Sequence, residues 1–179
     1  MRTPTHWGVH PSETVRPYPC DELIPDPGAT WFRGVSVFAP PEIVYRWLCQ
    51  MRVAPYSYDL LDNLGRRSPR TLTPGAENLT AGQPVMSIFT LVSFTPGRDL
   101  TLRIRPGKGY RVFGDLALTY DVRSENGRTT RLVVKLLLGN AKGPLSQARS
   151  KALAWGDLLM MRKQLLTFRR LAERQAAHH

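Results

Sequence analysis

Residues 116–138 read LALTYDVRSENGRTTRLVVKLLL. Leu116, Leu118, Tyr120 and Val122 recur at every second position, and after SENGR so do Leu132, Val134, Leu136 and Leu138. Period two is the spacing at which side chains share one face of a strand. Asn126-Gly127 between the two runs is a short hairpin signal. The segment therefore predicts two antiparallel strands that bury the same face. Backwards, YRVFGDLALTYDV continues the pattern to Val112, PGKG reads as a turn, and RDLTLRIR alternates through Leu100, Leu102 and Ile104. VMSIFTLVSF, broken by Pro96-Gly97, adds a further strand. Together these runs predict an antiparallel meander with one buried face.

Helical spacing flanks the meander. TWFRGVSVFA reads as a first strand with Trp31, Val35 and Val37 on one face, and PPEIVYRWLCQM follows it. Pro41 and Glu42 suit a first helical turn, while Ile43, Val44, Trp47, Leu48 and Met51 repeat at three and four. A second short helix is expected near 57–64, capped by Ser57 and stopped by Gly65. From Ser146 to Ala176 an apolar stripe runs through Ala154, Leu158, Met161, Leu165 and Phe168, with Arg162, Lys163, Arg169, Arg170 and Arg174 on the other side. The order is strand, two short helices, antiparallel strands and a long helix, an α+β plan. Residues 1–29 hold six prolines and read as an extended lead-in, 30–176 as one domain and 177–179 as a tail.

The chain of 179 residues carries a formal net charge of +11, unevenly spread. Residues 1–62 hold five Arg, no Lys and seven acids; residues 63–179 hold twenty basic residues and seven acids. The stretch 98–111 contains Arg98, Arg103, Arg105, Lys108 and Arg111 against one acid, and is a candidate surface for weak polyanion contact. No nucleic-acid motif accompanies it. The four histidines, His6, His10, His178 and His179, lie at the chain ends. Histidine-dependent nucleophile chemistry and a metal centre in the domain body are therefore not expected, and no cofactor is assigned. Cys20 and Cys49 sit in unlike contexts and read as free thiols. No apolar run is long enough for a membrane span, and a cytoplasmic location is expected.

Several strings in order, DELIPDP, APPEIVYRWLCQM, YSYDLLDNLG, TRLVVKL and MMRKQLLTFRRLAE, resemble the START-like superfamily, also called SRPBCC or polyketide cyclase-like. The resemblance covers most of the chain and departs from the pattern at RVAP, which stands where a longer glycine-rich link is usual. It implies a helix-grip fold, a curved antiparallel sheet wrapped around the C-terminal helix, with an apolar cavity between them for a lipid, polyketide or isoprenoid-like molecule. The candidate lining is then Leu102, Ile104, Val112, Leu116, Leu118, Tyr120, Leu132, Val134 and Leu136 from the sheet, and Leu158, Met161 and Leu165 from the helix. Tyr58, Asp62, Tyr120 and Asp157 are the polar groups able to orient a ligand. Tyr56 and Tyr58 are candidates for the cavity rim. Binding of a hydrophobic small molecule ranks first, and a cyclase-type enzyme using a pocket carboxylate or tyrosine second. Docking on nucleic acid or an anionic membrane ranks third.

Overall fold

The computed structural model describes residues 4–56, 68–140 and 146–178. The expected second short helix, with Tyr58 and Asp62, lies outside the described residues. Elsewhere the chain forms β1 (His6–Trp7), α1 (Pro11–Thr14), a 3-10 turn (Pro19–Glu22), β2 (Ala29–Val37), α2 (Pro41–Cys49) and a further 3-10 turn (Gln50–Arg52). There follow β3 (Pro84–Val85), β4 (Phe89–Thr95), β5 (Asp99–Ile104), α3 (Lys108–Phe113), β6 (Leu116–Asn126), β7 (Thr129–Leu138) and α4 (Ser146–Ala176).

The strands make one seven-stranded sheet in the order β1-β2-β7-β6-β5-β4-β3. All neighbours are antiparallel except the β1–β2 pair. The register sets the interior. Arg33 of β2 lies opposite Val134 of β7, which lies opposite Tyr120 of β6, which lies opposite Leu100 of β5. One row thus crosses four strands on one face, and α2 and α4 cover that face. Their shared core includes Trp31, Leu102, Leu118, Val134, Leu165 and Phe168. Each large apolar side chain removed from water there contributes about 1.5–3 kcal/mol.

Two expectations change. The sheet has two buried faces rather than one, because Tyr18, Cys20 and Ile24 of the lead-in pack on Phe32, Ala117, Val133 and Leu137 from its other side. Ion pairs fasten this layer: Glu13 to Arg131 at 2.8 Å, Arg16 to Asp121 at 2.8 Å and Lys135 to Asp21 at 2.6 Å. Cys20 and Cys49 are free and buried in different layers, one on each side of the sheet. The second change concerns Val112, which lies in α3 and not in a strand, and is 52% exposed. Gly107 and Gly114, both at positive φ, bracket α3 and uncouple it from β6, so the alternation that begins at Leu116 does not reach back to residue 112.

Candidate functional site

The apolar interior between the sheet and α4 contains two polar groups of contacts. In the first, Arg33 is fully buried on the face it shares with Trp31, Val35 and Val37. Its Nη2 donates to Asp157 Oδ2 at 2.9 Å, and its Nη1 donates to the carbonyl oxygens of Thr5 and Phe32, each at 3.0 Å. Its Nε has no hydrogen-bond partner among the described residues. The guanidinium also lies 5.9 Å from the Trp31 ring centroid. Burial pushes the Asp157 carboxyl up to about 6, and the Arg33 charge and hydrogen bond only partly offset it. Burial likewise lowers Arg33 from its ordinary range.

In the second group, the Tyr120 hydroxyl donates to Gln164 Oε1 at 2.6 Å, and Gln164 Nε2 donates to the Pro55 carbonyl at 2.6 Å. Gln164 Nε2 also contacts Met86 Sδ at 3.3 Å. Burial, with the Asp157 charge adding to it, raises Tyr120 well above the ordinary phenol range. The hydroxyl therefore stays protonated and acts as a donor. Beside Gln164 a cleft of about 90 Å³ is lined by Met51, Arg52, Val53, Ala54, Pro55, Met86 and Ser87. The three non-glycine residues at positive φ among those described are Tyr56, Met86 and Ser87; two line this cleft and the third follows Pro55. Backbone held in that region is strained and recurs at ligand clamps.

Of the residues named from sequence, Leu102, Ile104, Leu116, Leu118, Tyr120, Val134, Leu136, Met161 and Leu165 are buried in the sheet–helix interior, as is Leu132. Leu158 is half-buried, and Asp157 keeps 13% of its side chain exposed. Arg33 and Gln164 were missed. Both had a signal: Arg33 shares the phase of Trp31, Val35 and Val37, and Gln164 stands three residues after Met161 in the helix stripe.

The basic stretch is not brought together as one patch. Arg98 sits before β5, whereas Arg105, Lys108 and Arg111 follow it, so the strand's six residues, about 20 Å, separate them. Arg103 is paired with Asp115 at 2.7 Å, and Arg105 donates to the Ser87 carbonyl.

Two solved structures with the same layout superpose on most of the chain. The di-domain ARO/CYC StfQ from the steffimycin biosynthetic pathway gives a TM-score of 0.52 at 12% identity, over 88% of this chain and 55% of that one. XoxI from Bacillus cereus gives 0.52 at 16% identity, over 84% and 99%. The fold is the START-like helix grip. A START superfamily protein from Mycobacterium smegmatis also aligns, with a TM-score of 0.49 at 13% identity, over 83% and 97%. No family model matches the sequence, and no curated protein matches it. In START-like terms, β2 through β7 form the gripping sheet and α4 the gripped helix, with Arg33–Asp157 and Tyr120–Gln164 between them. No helix among the described residues is long and apolar enough to cross a membrane.

Proposed function

We propose that the protein binds a hydrophobic small molecule, of lipid, polyketide or isoprenoid-like character, between the sheet and α4. The observation that carries this reading is the placement of Arg33, Asp157, Tyr120 and Gln164 inside an otherwise apolar interior. A core selected for stability alone gains little from them, because apolar residues of similar volume stabilise as well or better than a buried ion pair. A binding cavity needs such groups: apolar walls supply affinity and a few polar atoms fix orientation. The strained backbone beside the Gln164 cleft supports an entrance at that end. StfQ, a di-domain ARO/CYC from the steffimycin biosynthetic pathway, has this fold, and that is consistent with the reading.

Tryptophan substitutions test the reading. In a closed core, Leu118→Trp and Val134→Trp overpack and destabilise by about 1–3 kcal/mol. In an open cavity they are tolerated, and uptake of an environment-sensitive hydrophobic dye falls. Loss of stability in both variants, together with no dye uptake by the wild-type chain, refutes the proposal. Mass spectrometry of copurifying organic molecules identifies the ligand class.

A second reading, a cyclase-type enzyme, is favoured by one observation: the Asp157 carboxyl at about 6 takes and releases a proton near neutrality, as a general acid or base must. On that reading Asp157→Asn retains ligand uptake and loses turnover of a bound polyketide. Equal turnover by both proteins removes Asp157 from the reaction, and no turnover by either returns the site to binding alone.

A further inference from the structure

The side of α4 that faces away from the sheet is not uniformly polar. Trp155 is 54% exposed, Leu159 55% and Leu166 38%. At 100° per residue these three fall within about 40° of one another, in the middle of the solvent face. Arg162 and Arg169 lie on one flank of that strip, and Lys163 and Arg170 on the other. From Leu158 to Ala172 the helix holds these four cations and no acid. Leu159, Arg162, Lys163, Leu166, Thr167 and Arg170 line a shallow groove of about 380 Å³. Arg169 is paired with Glu173 and Arg162 stacks over Trp7 at 5.8 Å, while Arg162 and Arg170 meet no carboxylate among the described residues.

We propose that this face of α4 docks on an anionic lipid bilayer. An apolar strip at the centre of the exposed arc, with cations on both flanks, matches a bilayer surface. The strip enters the headgroup region while the cations stay level with the phosphates. Trp155 is suited to that depth because indole is apolar with one polar edge. Nucleic acid fits less well, since it uses the cations but offers nothing to Leu159 and Leu166. A second copy across a twofold axis fits poorly too, because it would set one cationic face against another. The opposite face of the same helix lines the apolar interior, but the docking proposal does not depend on that interior holding a ligand.

Vesicle flotation tests it, using phosphatidylcholine alone and phosphatidylcholine mixed with phosphatidylglycerol. The wild-type chain is expected to float with the anionic vesicles only, more strongly at low salt. Leu159→Ser with Leu166→Ser, and separately Lys163→Glu with Arg170→Glu, each weaken flotation by about tenfold or more. All four positions are exposed, and unchanged circular dichroism and thermal melting show that the variants fold. As a control with the same change in net charge, Arg98→Glu with Arg128→Glu leaves flotation within about twofold of wild type. Dye uptake is unchanged throughout, which separates failure here from failure of the ligand reading. The proposal is overturned if the wild type does not float with anionic vesicles, or if the control loses as much as the helix variants. It is equally overturned if the Leu159 and Leu166 changes abolish self-association while leaving flotation intact, or if RNA binding depends on the helix cations and vesicle binding does not.

Discussion

Arg33 occupies a strand position whose neighbours in phase are Trp31 and Val35, and its guanidinium meets Asp157 from the helix, the Thr5 carbonyl from the lead-in edge and the Phe32 carbonyl of its own strand. The cost of burying the pair falls on both partners, on Asp157 as a raised affinity for its proton and on Arg33 as a lowered one. Because the folded chain holds the Asp157 proton more tightly than the unfolded chain, the contribution is complete below the ordinary carboxylate range. It is lost as pH rises through about 6. Asp157→Asn keeps a neutral side chain at every pH. Its stability relative to wild type should therefore be poorest near pH 4 and improve by up to roughly 3 kcal/mol by pH 7. Urea denaturation across that range checks this, and a difference that does not change with pH shows that Asp157 titrates in its usual range. Asp157 was legible in the sequence as an acid beside an apolar stripe. Its partner was not, because the pairing spans 124 residues and local periodicity carries no information about which strand meets which helix turn.

At the scale of elements, the hairpin of β6 and β7 and the full extent of α4 were readable, since long stretches of period two and period three-to-four leave few alternatives. The α3 turn was not. Tyr110 and Val112 stand in phase with Leu116, and only the glycines at 107 and 114 signalled the break. The lead-in was read as proline-rich chain on the surface, yet it supplies a second layer. Its hydrophobic residues are few and spaced by prolines, so no periodicity marks them. Gly8 sits where the chain leaves β1 for α1. Its φ is +68°, its carbonyl accepts from Arg131 Nη2 at 2.9 Å, and a Cβ there would collide with the Gly34 carbonyl oxygen. Gly8→Ala should cost about 1–2 kcal/mol from the backbone alone, and more if β1 is displaced from β2. Chemical denaturation measures the loss, and faster proteolytic cleavage within the first 29 residues would locate it. Wild-type stability in the variant would mean that the Gly8–Gly34 approach is not required.

For the molecule as a whole, the sheet is a partition with a thiol sealed on each side. Cys20 belongs to the lead-in and Cys49 ends α2, each buried in its own layer's core, and burial pushes their thiols up to about 11 and about 12. Neither presents a thiolate at neutral pH, so a disulfide reagent reaches either one only after its own covering layer lifts. The chain thus carries two internal clocks, one per layer. With Cys49→Ser the labelling rate times the opening of the lead-in, and with Cys20→Ser it times the opening of the helical side. If the protein breathes as a single unit, the two clocks run at rates that shift together as urea is added. If the lead-in peels away by itself, Cys20 labels sooner and with a weaker dependence on urea, and Gly8→Ala accelerates Cys20 alone.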